Sequence, residues 1–257
     1  MISYRPRVIP CLLLKHGGLV KTIKFDKPNY LGDPINAVKI FNEKMVDELC
    51  IMDIEASVKG CGPDFSLLSD IATEAFMPLS YGGGITTIEE IRELFRIGLE
   101  KVILNTAFVK HPEIVKEAVS IAGSQSIVVS IDAKKNLTGR YTAFINDGKE
   151  KTSISPVELA VLAEKQGAGE LIINSIDRDG KMQGYDLELI KNVTNAVEIP
   201  VVACGGAGNM QDIKSVLIEA NVHAAAAGSM FVYYGKKKAV LINYPSENEF
   251  LQEGIYR

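Results

Sequence analysis

Along the chain, short runs of consecutive apolar residues alternate with longer stretches in which apolar positions recur every three or four residues. The short runs lie at 8–14 (VIPCLLL), 48–54 (ELCIMDI), 78–81 (PLSY), 101–104 (KVIL), 126–132 (SIVVSID), 170–175 (ELIINS), 201–204 (VVAC) and 223–227 (HAAAA). Most are apolar on both faces, which fits parallel strands covered by helices better than strands with one wet side. The stretches between them predict helices at about 34–44, 65–75, 87–96, 112–122, 156–166, 187–196 and 210–220. The first of these has Asp33 as its N-cap and Pro34 at the first helical position. Eight strands alternating with helices, with no polar linker to divide them, predict an α/β fold: a single-domain (β/α)8 barrel.

Two segments break the alternation. After a turn at Lys15-His16-Gly17-Gly18, residues 19–25 (LVKTIKF) predict a short hairpin arm, followed by a loop at 29–34. Residues 134–152, after the fifth strand, carry two short alternating pieces around Gly139 and Asn146-Asp147-Gly148, an inserted hairpin. The tail at 236–257 is charged at first and then less periodic, and is expected to close the outside of the barrel.

The chain also contains one stretch twice. Residues 78–106 and 200–229 both read proline, strand, glycine cluster, amphipathic helix, strand and a small or hydroxylic pair, with Pro78 and Pro200 lying 122 residues apart. Such a repeat suggests two half-barrels, at about 1–122 and 123–257, which a doubly wound sheet would not explain. The clusters Gly82-Gly83-Gly84 and Gly205-Gly206 stand where backbone N–H groups at a helix N-terminus can hold an anion. One such cluster is equally well a tight turn. Two copies favour two phosphate cradles, at strands three to four and seven to eight, and an elongated ligand with a phosphate at each end.

Composition narrows the range of partners. Of the 257 residues 47% are apolar, enough for a packed core, and a formal charge of −4 leaves no basic footprint for nucleic acid. The first residues, MISYRPRVIPCLLL, lack a signal peptide's long apolar region and cleavage site, and no apolar run reaches 18 residues. No membrane insertion and a cytoplasmic location are expected. Cys11, Cys50, Cys61 and Cys204 have no metal-ligand spacing and the three histidines are scattered, so neither a metal nor a cofactor is expected. Cys11, Cys50 and Cys204 read as reduced core thiols.

In a barrel the chemistry belongs at the C-terminal ends of the strands. Asp132 ends an otherwise apolar strand and is either a catalytic acid or base or a structural carboxylate. The same alternatives stand for Asp53. Asp177 and Asp179 flank Arg178 and could form a solvated, salt-bridged turn, and Lys21 either reaches the mouth from its arm or is simply exposed. At the opposite face, Arg7, Glu48, Lys101 and Glu170 stand at the starts of strands one, two, four and six, as a ring of ion pairs or as solvated strand caps.

With RVIPCL at 7–12, DELCIMDIEAS at 47–57, GGGI at 82–85, KVILNTA at 101–107, GSQSIVVSIDAK at 123–134, GAGELIINSIDRDGKMQGYDLEL at 167–189 and PVVACGGAG at 200–208, the sequence resembles the cyclase subunit of imidazole glycerol phosphate synthase along nearly its whole length. That resemblance implies a class I glutaminase docked at the N-terminal face of the barrel, and ammonia passing a gate of Arg7, Glu48, Lys101 and Glu170. At the top, the ammonia would react with a bisphosphorylated ribulosyl aminoimidazole carboxamide, giving imidazole glycerol phosphate for histidine synthesis and a carboxamide ribotide. It implies one phosphate held by Gly84, Asn105 and Thr106, the other by Asp179, Gly180, Gly206, Gly228 and Ser229, with Lys21 meeting the ligand from a mobile loop and Asp132 as one of two catalytic carboxylates. The family's other carboxylate is replaced here by Leu13, which can neither donate nor accept a proton. Asn174 also stands where a threonine is usual.

A retained gate beside a broken carboxylate pair resembles the cyclase-like paralogues of surface-polysaccharide gene clusters. There, ammonia from the paired subunits would serve a separate sugar amidotransferase. The alternatives are a genuine cyclase of histidine synthesis and a non-catalytic scaffold that activates the glutaminase.

Overall fold

The computed structural model describes residues 5–235 and 237–256; the ends of the tail expected at 236–257 fall on residues outside these. Eight parallel strands close on themselves: Arg7–Lys15, Leu49–Asp53, Leu79–Gly82, Lys101–Leu104, Ile127–Lys135, Glu170–Ser175, Val201–Cys204 and Ala224–Ala227. They are numbered one to eight below. Each pairs with the next in sequence, and the circle closes where Arg7 to Pro10 of strand one lie beside Ala224 to Ala227 of strand eight. The chain is thus a single-domain (β/α)8 barrel, as the alternation of patterns predicts.

The packing has two shells, for a simple stereochemical reason. Side chains alternate across a strand, so each strand sends one set of residues outward to the helices and the other inward. The outer shell is the large core, including Val8, Leu49, Leu104, Val129 and Ile173 with the inner faces of the helices. The inner set forms a smaller apolar layer of Ile9, Cys50, Ile103, Val128, Val202, Cys204, Ala224 and Ala226. Cys11, Cys50 and Cys204 therefore belong to the barrel lumen, with the Cys11 and Cys50 sulfurs 3.9 Å apart.

Local chemistry fixes the helix starts. Asp33 Oδ1 accepts from Asn36 N–H at 2.8 Å ahead of Pro34–Glu43. Thr87 with Glu90, Ser155 with Glu158 and Asn209 with Asp212 form capping boxes for Ile88–Arg96, Pro156–Gln166 and Met210–Glu219. These caps correct one expectation. The two glycine clusters do not open directly onto the N-termini of the long helices, because Glu90 and Asp212 already occupy those N–H groups. Two short helices that periodicity is too brief to reveal, Thr106–Lys110 and Ser229–Val232, begin at the hydroxylic pairs instead.

Both departures from the alternation are β-structure. Gly18–Ile23 pairs with strand one and with Asp26–Gly32, so the loop expected at 29–34 is largely strand. Tyr141–Ile145 folds back on strand five and pairs with Glu150–Lys151, as the hairpin signal predicts. The described part of the tail covers the outside of strand one: Tyr244, Phe250 and Tyr256 are buried, and Tyr244 donates to Val8 O at 2.9 Å.

Candidate functional site

The mouth lies at the strand C-termini, and it is the upper end of a single cavity. At the bottom the cavity is lined by Glu48 and Glu170. Its middle is lined by Ile9, Ile103, Val128 and Val202, and its top by Leu13, Lys21, Gly84, Asn105, Thr106, Asp132, Asp179, Gly180, Gly206, Gly228 and Ser229. Most of the mouth residues singled out from the sequence thus face one space, whereas Asp177 and Gly82 do not line it.

Asn105 directly follows strand four and donates through Nδ2 to Ser130 O at 3.0 Å and to Asp132 Oδ2 at 3.3 Å. Asp132 opens onto the cavity and is otherwise enclosed by protein. Its pKa is pushed up to about 7, first by burial and next by the nearby Asp147, while a hydrogen bond with Asn174 opposes the rise. A carboxyl poised there can hold or accept a proton near neutrality. Ser229 Oγ is buried and has no hydrogen-bond partner among the described residues. An unmatched hydroxyl at a cavity wall is costly unless a ligand or water satisfies it.

The second cradle departs from the expectation of a mobile lysine. Lys21 is buried, with Nζ 2.7 Å from Asp179 Oδ1, and Thr22 Oγ1 donates to Asp179 Oδ2 at 2.8 Å. The arm after strand one is thereby tied to the loop after strand six. A Cβ on Gly180 would strike Thr22 O, and one on Gly228 would lie 3.1 Å from Lys21 Cε, so both glycines make room for this pairing.

Backbone geometry also demands glycine in the clusters. Gly84 has φ +70°, and a Cβ there would lie 2.5 Å from Cys61 O; Gly206 has φ +120°, and a Cβ would run into Gly184 O. Gly206→Ala is therefore expected to cost about 3 kcal/mol or more, combining backbone strain with a clash against main chain, read as a lower urea midpoint.

Two other acidic candidates have structural duties. Asp53 Oδ1 accepts from Glu55 N–H at 2.8 Å and Ala56 N–H at 3.0 Å, and Asp177 Oδ2 accepts from Lys135 N–H at 2.9 Å. Leu13 lines the cavity and pairs in register with Met52 of strand two. Asp147 is the residue that sequence reasoning missed. It served there only as a turn signal, although a carboxylate on a hairpin inserted at the catalytic end of a barrel is itself a cue.

At the lower face the four charges form one network. Lys101 Nζ lies 2.8 Å from Glu48 Oε2 and 2.9 Å from Glu170 Oε2, and Arg7 pairs with both carboxylates. Glu48 and Glu170 are buried. Burial pushes the Glu170 carboxyl up, but Arg7 and Lys101 together outweigh it and hold the pKa below the usual carboxylate range. The solvated-cap reading of these four residues is set aside. Around the ring the surface is apolar in places, with Met45 at 85% and Phe76 at 88% exposure in loops that lead into strands two and three.

Fold and cavity together define the class: a (β/α)8 barrel with carboxylates and glycine turns at its mouth, an apolar lumen, and a closed ring of ion pairs beneath. Residues 7–238 match the family model described as histidine biosynthesis protein. A Leptospira interrogans protein provisionally named imidazole glycerol phosphate synthase subunit HisF is 49% identical over 95% of this chain and 97% of its own length. A Pseudomonas aeruginosa protein, provisionally named subunit hisF2 of the same synthase, is 48% identical over 95% and 98%. The imidazole glycerol phosphate synthase subunit HisF of Oceanobacillus iheyensis is 40% identical over 95% of both chains. The chain belongs to the histidine biosynthesis family, as a HisF-type imidazole glycerol phosphate synthase cyclase subunit. These names refer to that synthase and none to sugar amidination, so the polysaccharide assignment has no support from them. Among the described residues no helix is long and apolar enough to cross a membrane.

Proposed function

We propose that the chain is the ammonia-consuming subunit of a two-component synthase. A class I glutaminase docks over the ion-pair ring, and ammonia rises through the lumen to a bisphosphorylated ribulosyl aminoimidazole carboxamide at the mouth. The observation that carries this reading is the single cavity with Glu48 and Glu170 at one end and Asp132 at the other. Its apolar middle admits neutral ammonia far more readily than ammonium, since an unpaired charge is costly there. Exposed Met45 and Phe76 beside the ring suit a protein partner. The phosphates would rest on Gly84, Asn105 and Thr106 on one side and on Gly180, Gly206, Gly228 and Ser229 on the other, with Lys21 and Asp179 fixing the second cradle. The family description, histidine biosynthesis protein, supports histidine synthesis as the setting, and a cytoplasmic location is part of the same proposal.

Formation of imidazole glycerol phosphate from ammonium salts tests the mouth, and formation from glutamine with the glutaminase tests the passage. Lys101→Met is expected to lower the glutamine-dependent rate relative to the ammonium-dependent rate about tenfold, because the ring would lose the cation that joins its two carboxylates. An unchanged ratio would remove the ring from the pathway.

Leu13 favours a second reading, in which ammonia leaves the mouth for a separate sugar amidotransferase of surface-polysaccharide synthesis. Near-normal turnover of the ribulosyl substrate excludes it. A scaffold that only activates the glutaminase would bind no phosphorylated ligand, which calorimetry would reveal.

A further inference from the structure

Six acidic side chains line the cavity: Glu48, Asp53, Asp132, Asp147, Glu170 and Asp179. Four have fixed partners. Glu48 and Glu170 hold the lower ring, Asp53 caps the turn at residues 55–56, and Asp179 is bound by Lys21 and Thr22. That leaves Asp132, held only by the neutral amides of Asn105 and Asn174, and Asp147. Asp147 has neither a hydrogen bond nor an ion pair among the described residues.

The hairpin puts Asp147 at the mouth by construction. Asp132 itself pairs in register with Phe144 on the returning strand, so the tip rises directly from the site. Lys149 N–H donates to Asn146 O at 3.2 Å around Asp147 (φ +56°) and Gly148 (φ +69°), a turn with two left-handed central residues. Three neighbours pin this tip. Asn146 N–H donates to Thr106 Oγ1 at 3.1 Å, and a Cβ on Gly148 would lie 2.9 Å from Phe25 Cδ2 and 3.3 Å from Ile176 Cδ1. The hairpin therefore spans from strand four to the arm that follows strand one, the side on which Leu13 offers no ionisable group. Asp-Gly is a favoured pair for such a hairpin turn, and the packing at its tip holds it in place.

We propose that Asp147 is the second catalytic carboxylate of this barrel, working with Asp132 on the ligand between the phosphate cradles. This rests on the cyclase reading above. When ammonia adds to the ketone carbon of the ligand, a C–N bond forms and the carbonyl π bond opens. The ionised carboxyl takes a proton from nitrogen, the protonated one gives its proton to oxygen, and the two exchange roles with no net proton consumed. Their environment suits a pair that shares one proton. Burial, opposed by Lys149 and Lys15 and reinforced by Asp179 and Asp53, pushes Asp147 up to about 7, and Asp132 stands at a similar value. Asp147 raises the Asp132 pKa, and with both carboxyls near 7 a state with one of them protonated is well populated at neutral pH.

The test uses the full chain with ammonium as nitrogen donor. Wild type is expected to turn over, with a bell-shaped pH profile centred near 7. Asp147→Asn should lower kcat about 10²- to 10³-fold, leave KM for the ribulosyl bisphosphate within about threefold, and flatten one limb of the profile. Adding Leu13→Asp to Asp147→Asn should restore at least tenfold while Leu13→Asp alone gains less than about threefold, a pattern that a merely structural role of Asp147 would not give. A fully active Asp147→Asn variant overturns the proposal. So does a wild type that binds the ribulosyl bisphosphate by calorimetry without converting it, which leaves the ligand assignment standing. A wild type that neither binds nor converts it overturns both.

Discussion

Asp132→Asn is expected to lower ammonium-dependent turnover by about 10² to 10⁴ with little change in KM, and at the same time to make the folded chain more stable at pH 8. The first effect follows from removing the proton carrier on strand five, since positioned acid/base groups contribute in that range. The second follows from linkage. The Asp132 carboxyl titrates at about 7 in the folded chain against 3.8 when unperturbed. Between those values the folded state binds more protons than the unfolded one, so stability falls as pH rises from about 4 to 7. At pH 8 the full shift would amount to about 4 kcal/mol. Because the carboxyl opens onto the mouth, about half of that is expected, and Asn, which carries no charge, removes it. Urea unfolding of both proteins at pH 5 and pH 8 checks this: the variant should gain about 2 kcal/mol at pH 8 and much less at pH 5. An equal gain at both values would mean that the carboxyl is not held near neutrality.

The barrel was legible in the sequence because its determinants are local and periodic. Doubly apolar runs, the Asp33 cap with Pro34, and an inserted Asn-Asp-Gly turn each have a short-range signature, and all fall close to their expected places. The ion-pair ring was legible as four charges at strand starts, but only closure of the barrel brings Lys101 within 3 Å of both Glu48 and Glu170. What the sequence hid depends on contacts between distant segments. Lys21 stood between reaching the mouth and lying exposed because its partner, Asp179, is 158 residues away. The three cysteines read as ordinary core because apolar strand runs do not say which face turns to the lumen. Asp147 read as turn chemistry because its distance from Leu13 along the chain conceals that one hairpin carries it across the mouth. The doubled glycine stretch identified the correct turns for a reason that proved partly different: Gly84 and Gly206 are required by close main-chain approaches whatever anion they meet.

Glu170→Gln is expected to produce the largest loss of stability among the single substitutions considered, about 3 to 5 kcal/mol at pH 7. The amide keeps the shape of the side chain but leaves Arg7 and Lys101 facing each other with only Glu48 to neutralise them, and breaking one member of a buried ionic network costs in that range. The pH dependence has the opposite sense to that of Asp132. The Glu170 pKa is depressed in the fold, so its contribution is fully present above the unfolded-state value of about 4.5 and is lost as pH falls below it. The difference between wild type and Glu170→Gln should therefore be constant from about pH 5 upward and shrink in more acid solution, whereas that between wild type and Asp132→Asn should grow from pH 4 to 7. Stability of the wild type is then squeezed from both sides, by loss of the ring in acid and by ionisation of the mouth at neutral pH. If Glu170→Gln unfolds at the wild-type urea midpoint at pH 7, the ring is not holding the lower end of the barrel closed, and its four charges would have to be retained for the passage alone.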